Sequence, residues 1–252
     1  MIMNKDYKVS IPSTVHLNLE KHKAIPDPFF SDNIKSLEWI SSCRVSFSTS
    51  FFISQEEKAF SKIKLIFEGI DTYADIFFNG QHLGSTKNAF LKYEFAVEQF
   101  AKIGENILRV DFNSTKPYDT EQQRLEHMPF DYAHTRKACY QYSWDWAPYM
   151  NTMGIWLPVY LHLYDEIKID YVWIRNKAIT KSKAVLDIVL ALDKVNDEIS
   201  LIDNIELRIK QDLVEKTYKI TSKFSHCEII IDQPKLWWPN NIGTPFVYEF
   251  MF

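Results

Sequence analysis

The residues best equipped for chemistry lie together near the middle of the chain. Between positions 130 and 164, ten of 35 residues are aromatic, and the centre reads Arg136-Lys137-Ala138-Cys139-Tyr140-Gln141-Tyr142-Ser143-Trp144-Asp145-Trp146-Ala147-Pro148. A carboxylate between two indoles is unusual, because burial beside aromatic rings disfavours its charged form unless donors satisfy it. Two readings fit this spacing. In one, Tyr140, Tyr142, Trp144 and Trp146 alternate into the core of a strand, while Asp145 points to water or pairs with Arg136. In the other, the apolar face of a sugar ring stacks on indole and the Asp145 carboxylate accepts hydrogen bonds from neighbouring hydroxyls, as in pockets with few convergent polar groups.

Other chemical signatures are missing from the sequence. The seven histidines form no HExxH or H-x-H arrangement and no CxxC occurs, so neither a metal site nor a cofactor is expected. With only 6 glycines there is no G-x-S-x-G elbow and no phosphate-cradling loop. Isolated histidines on strands, such as His162, read as structural groups.

The elements that must position the aromatic segment are mostly strands. From Cys43 to Phe51, larger or apolar residues occupy the odd positions and small or polar ones the even positions, which is the period of a half-buried strand. Similar runs cover 62–67, 73–78 and 106–112. Asn79-Gly80 is a strong hairpin signal, since both residues tolerate positive φ. Ser13-Thr14 opens a short helix toward His22, and Ser31-Asp32-Asn33 caps a turn or two through Trp39. Residues 114–128 are polar and charged and read as a long loop with one helical turn. A second alternating block covers 168–173, 184–192, 205–209 and 228–231, separated by charged turns. It suits a small antiparallel sandwich beginning near residue 165.

Composition narrows the partners. The 252 residues carry 33 acidic and 29 Lys+Arg side chains for a net charge of -4, a balance without the basic footprint that a nucleic-acid partner requires. Eighteen Phe, 13 Tyr and 7 Trp with 46% hydrophobic residues exclude collagen-like and disordered chains. No 18 apolar residues run together, so no membrane span is expected. The first residues carry Lys5, Asp6 and Lys8 and lack the apolar stretch of a secretory signal. Three distant cysteines, Cys43, Cys139 and Cys227, read as buried free thiols. Both features point to a cytoplasmic location.

From about Val9 onward the chain resembles the N-terminal part of a β-mannosidase of glycoside hydrolase family 2. The motifs that carry this are Ile11-Pro12-Ser13-Thr14-Val15-His16, Ile25-Pro26-Asp27-Pro28-Phe29, FEGIDTYADIFFNGQHLG (67–84), KIGENILRV (102–110), RKACYQYSWDWAP (136–148), Gly154-Ile155-Trp156-Leu157-Pro158-Val159 and Leu236-Trp237-Trp238-Pro239-Asn240. Other family 2 branches share the Gly-Ile-Asp and Asn-Gly turns without Trp-Asp-Trp, so that segment favours the mannosidase branch.

The resemblance implies an all-β chain, with a jelly-roll sugar-binding domain over 1–165 and an immunoglobulin-like sandwich over 166–252 that need not be complete at its end. It further implies a following (β/α)₈ barrel whose two glutamates perform retaining hydrolysis. A barrel takes about 250 residues, so this pair, expected about 5–5.5 Å apart, falls outside the 252 residues and no catalytic residue is assigned among them. Glu121, Glu126, Asp131 and Asp145 are the local acidic alternatives, and none sits in a matching motif.

By the same resemblance Asp145 accepts hydrogen bonds from sugar hydroxyls and Trp144 is an apolar wall. Trp146 supports them, and Arg136 holds the segment or balances the carboxylate. Trp156, Trp237 and Trp238 are read as packing residues. The expected partners are a β-mannoside or other carbohydrate and the barrel; the alternative is a free-standing lectin-like module. Three departures from the family stand out. Ser143 and Ala147 replace the glycines that usually flank Trp-Asp-Trp, which reduces backbone freedom there. Ser13 replaces another glycine. Only about ten residues precede Ile11, where relatives have a further strand that would cover a sheet edge.

Overall fold

The computed structural model describes residues 5–127, 129–130, 134–195, 205–211, 214–220 and 226–251, and the chain divides into two compact units, Met1–Leu163 and Tyr164–Phe252. In order, the first holds β1 (Ser13–Thr14), α1 (Val15–Lys21), a 3-10 helix (Asn33–Ser42), β2 (Val45–Ile53), α2 (Gln55–Lys58), β3 (Lys62–Phe67), β4 (Ile70–Asp71), β5 (Tyr73–Phe78), β6 (Gln81–Thr86), β7 (Tyr93–Ala96), β8 (Gly104–Asn113), α3 (Lys116–Glu126), β9 (Tyr142–Trp144), β10 (Ala147–Tyr149), β11 (Gly154–Ile155) and all but the last residue of β12 (Val159–Tyr164). The second holds β13 (Ile167–Ile179), β14 (Lys183–Lys194), β15 (Ile205–Gln211), β16 (Val214–Ile220), β17 (His226–Asp232) and β18 (Glu249–Met251).

The first unit is a sandwich of two antiparallel sheets, one in the order β2-β8-β5-β6 and one in the order β12-β3-β7. Alternation decides which side chains enter. Phe47, Phe51 and Ile53 of β2 turn inward while Ser46, Ser48 and Ser50 face out. They meet Ala74, Ile76 and Phe78 of β5, Val110 and Phe112 of β8, and Ile63, Leu65 and Phe67 of β3 in one core. Phe67, Phe78 and Phe112 are almost wholly enclosed, and each contributes about 1.5–3 kcal/mol.

Asn79 (φ 51°) and Gly80 (φ 83°) both adopt the left-handed region, which lets a two-residue turn of the primed type join β5 to β6 without splaying them. Asn79 also donates through Nδ2 to the Phe100 carbonyl (2.9 Å) and to Asn106 Oδ1 (2.8 Å), and its Oδ1 accepts from the Ile107 amide. Buried Asn106 is satisfied in turn by Lys102 and Gly104 backbone groups.

A third small sheet, β1-β11-β4, sets the residues that matter below. Gly154 lies opposite both Thr14 and Asp71. The helix from Thr14 forms as the sequence indicates, with Thr14 Oγ1 accepting the Leu17 amide. The expected loop over 114–128 is instead the 11-residue helix α3. It starts with Pro117 in its first turn and is held by buried Asp119 rather than by an apolar stripe, so its sequence shows no 3.6-residue hydrophobic period.

The second unit packs β13-β14-β17 against β16-β15-β18. Leu186, Ile188 and Leu190 of β14, Leu207 and Ile209 of β15, and Ile229 and Ile231 of β17 form its core. Strands β16 and β18 were not anticipated by alternation. The chain is all-β in class, as the sequence implies. The thiols differ from expectation: all three cysteines are free, but Cys139 is exposed and Cys43 and Cys227 are only half-buried.

Candidate functional site

Trp144-Asp145-Trp146 forms the tip of the β9–β10 hairpin, in which Tyr142 pairs with Tyr149 and Trp144 with Ala147. Asp145 and Trp146 are therefore its two turn residues. Trp144 is 47% exposed and Trp146 71%, and Asp145 faces solvent with no hydrogen bond or ion pair to its carboxylate among the described residues. The core reading of the four alternating aromatics holds only for Tyr142. Tyr140 is half exposed, its ring 5.4 Å from that of Trp146.

Arg136 does not pair with Asp145; its side chain is exposed. It ties the segment down through its backbone, the carbonyl accepting the Ala89 amide at 2.8 Å. The Ala89 carbonyl accepts Trp156 Nε1 at 3.1 Å, so residues 89, 136 and 156 are fixed together. Trp156 crosses Gly69, where any Cβ would lie 2.7 Å from Nε1. Its outer edge is exposed, as are those of Trp237 and Trp238, so none of the three is enclosed within its own unit. Beside the hairpin opens a cleft of about 550 Å³ walled by Phe29, Phe90, Tyr140, Trp146 and Trp156, with Asp71 and Gln141 in its polar lining. The structure thus brings Trp146, not Trp144 or Asp145, into this cleft.

Beneath the hairpin lies a buried polar cluster that the sequence reading did not assign. Lys137 has a fully buried side chain, 3.1 Å from Asp71 Oδ1. It also donates to Asn151 Oδ1 and the Thr152 carbonyl, each at 2.7 Å. Burial pushes its ammonium below the usual lysine range, and the Asp71 charge opposes that shift. Gln141 Nε2 donates to Asp71 Oδ2 at 2.8 Å, and Gln141 Oε1 accepts the Thr152 amide at 3.2 Å. His16 Nδ1 lies 2.8 Å from Thr152 Oγ1. Burial first, then the nearby Lys137 charge, lowers the His16 pKa to about 4.

Further along, Tyr142 Oη donates to Asp119 Oδ2 at 2.7 Å, and Thr135 Oγ1 donates to Asp119 Oδ1. Burial raises the Tyr142 phenol far above its usual range, so it remains a donor. Thr135, Lys137, Gln141, Tyr142, Asn151 and Thr152 lie inside the aromatic-rich run, where polar side chains among aromatics are the one local signal, whereas His16, Asp71 and Asp119 come from distant parts of the chain and carry none.

Among the described residues the acidic alternatives do not converge. Glu121 is exposed and held by Arg124 at 2.7 and 3.0 Å, which lowers its pKa. Glu126 lies 3.8 Å from His134, and Asp131 falls outside the described residues. Among the described residues no three His, Cys, Asp or Glu side chains cluster as metal ligands would. What the site offers is an exposed carboxylate between two accessible indoles, groups that can accept hydrogen bonds from hydroxyls and stack on apolar ring faces.

Comparison with known proteins matches both units of the chain. The family profile described as "Glycosyl hydrolase 2 galactose-binding domain-like" covers residues 3–157, and that described as "Glycosyl hydrolases family 2" covers 167–252. The β-mannosidase of Mus musculus is 29% identical over 275 residues, covering 95% of this chain and 30% of that protein. β-Mannosidase B of Emericella nidulans is 27% identical over 251 residues, covering 95% and 30%. The crystal structure of the β-D-mannosidase from Dictyoglomus thermophilum superposes with a TM-score of 0.79 at 29% identity, covering 94% of this chain and 31% of that one. The chain spans less than a third of the length of these relatives and resembles their N-terminal region. It belongs to glycosyl hydrolase family 2.

Proposed function

We propose that this chain is the non-catalytic N-terminal region of a β-mannosidase-like retaining exo-glycosidase, and that its β9–β10 hairpin supplies part of the subsite for a terminal mannose. The observation that carries the reading is the Asp145 carboxylate, exposed at a hairpin tip between two exposed indoles and left without an internal partner among the described residues. A carboxylate kept for internal stability would be buried and hydrogen-bonded, as Asp71 and Asp119 are. In this reading Asp145 accepts hydrogen bonds from sugar hydroxyls and Trp144 covers an apolar ring face. The general acid and the nucleophile come from a barrel that follows in the whole polypeptide.

The test is Asp145→Ala in the whole enzyme. Loss of a contact that strengthens in the transition state lowers kcat/KM toward β-mannosides by on the order of 10²-fold, and unchanged kinetics would remove Asp145 from the subsite.

One observation favours a second reading, a lectin-like module. The aromatic cleft of about 550 Å³ is built entirely from residues of the first unit, within the size range of small-ligand sites. Against it, the Asp71 and Gln141 side chains in the lining are already paired with each other and with Lys137 and Thr152. Calorimetric titration of mannobiose against the isolated chain separates the two. Binding tighter than about millimolar supports a lectin, and silence supports the subsite reading.

A further inference from the structure

We infer that Lys137, Asp71 and Gln141 form a clamp that fixes both feet of the β9–β10 hairpin and thereby aims its Trp144-Asp145-Trp146 tip; this deepens the proposed function and rests on it for the link to catalysis. Gln141 immediately precedes β9, and Met150 to Thr152 follow β10. The two feet are joined three times: the Met150 amide donates to the Gln141 carbonyl at 3.0 Å, the Thr152 amide donates to Gln141 Oε1, and the Thr152 carbonyl accepts Lys137 Nζ. Asp71 closes the ring by taking Lys137 on one carboxylate oxygen and Gln141 on the other. All three ammonium donors of Lys137 are used, on Asp71, Asn151 and Thr152.

Two features set this cluster apart from ordinary packing. A buried ion pair is rarely more stabilising than apolar residues of the same volume, but it enforces one arrangement because each charge tolerates few partners. The hairpin above it has only two registered residue pairs, too little ladder to hold a tip still by itself. A subsite contact loosened by an ångström loses much of its rate benefit. Gln141 and Lys137 are therefore positioning residues: they act by setting where Asp145 stands.

Gln141→Met tests this, because it preserves length and volume while cutting both side-chain bonds without stranding a new charge. The first readout is amide hydrogen exchange of the 252-residue chain. Exchange over 142–150 should accelerate at least tenfold while the β5 and β8 amides stay unchanged. No local acceleration overturns the clamp, and acceleration of all these regions together does so equally, since it would make Gln141 a general core residue.

The second readout is kinetic, in the whole enzyme. Gln141→Met should lower kcat/KM about tenfold alone but less than twofold in an Asp145→Ala background, because both changes act on one contact. Equal losses in both backgrounds overturn the positioning role. Should Asp145→Ala leave the kinetics untouched while 142–150 still loosens in Gln141→Met, the proposed subsite fails and the clamp stands.

Discussion

Lys137 Nζ lies 3.1 Å from Asp71 Oδ1 with the lysine side chain fully buried, joining the segment before the hairpin to the short strand β4. Charges withdrawn from water this completely are costly to separate. Removing one partner leaves the other buried and unpaired, which costs about 3–5 kcal/mol, whereas replacing both together is often close to neutral. Lys137→Met and Asp71→Asn should each destabilise the first unit by that amount, and the double variant by clearly less than their sum. Because two units need not unfold in one transition, the measurement is exchange of the slowest β5 and β8 amides. Additive losses would mean that the pair is not coupled.

His16 supplies a pH dependence with a defined sign. Its folded pKa of about 4 lies below the ordinary 6.5, so between these values the unfolded chain binds a proton that the folded one refuses. The stability His16 allows is complete above pH 6.5 and is lost as pH falls through 4, a change on the order of 3 kcal/mol. Carboxylates titrate in the lower part of that window too, so the useful quantity is a difference. Stability profiles of the chain and of His16→Gln between pH 7 and 4 should converge as pH falls, and parallel profiles would count against a neutral buried His16.

Much of the sandwich was legible because its signals are local. Period-2 alternation located β2, β3, β5, β8 and β14, and Asn79-Gly80 marked the turn whose positive φ angles the structure shows. Helix α3 was not legible: its single buried polar anchor, Asp119, binds residues 16 and 23 positions away, and no local period reports that. The candidate site divides the same way. The Trp-Asp-Trp tip announced itself by composition, but Lys137 and Asp71 are 66 residues apart and meet only because β11 carries Gly154 opposite Asp71. Aromatic alternation was misleading at the tip, since Trp144 and Trp146 remain exposed where a two-residue turn follows too soon for them to be covered.

Ser143 is a departure whose cost the backbone reveals. Where the family resemblance implies glycine, this chain places a serine at φ 82°, in the left-handed region that costs a residue with a Cβ about 1–2 kcal/mol. Glycine loses roughly 0.5–1 kcal/mol more on ordering, so Ser143→Gly should stabilise the hairpin by about 0.5–1 kcal/mol net. Slower amide exchange over 142–150 is the expected result. Faster exchange would show that the Ser143 hydroxyl, 3.4 Å from the Ala147 carbonyl, is worth more than the strain.

Tyr142 tests whether the aromatic run is anchored by its ring or by its hydroxyl. The ring is buried and lies 6.4 Å from that of Tyr149, while the hydroxyl donates to one Asp119 carboxylate oxygen and Thr135 donates to the other. Tyr142→Phe keeps the ring and strips a charge-assisted bond from a buried carboxylate, so it should cost about 1.5–3 kcal/mol. Adding Asp119→Asn replaces that carboxylate with a neutral amide that needs the lost donor less. The pair should therefore cost less than the sum of the single changes, and stability of the first unit measured across this four-member cycle decides it. If Tyr142→Phe is neutral, the ring carries the anchoring and α3 is fixed to the sandwich by other contacts.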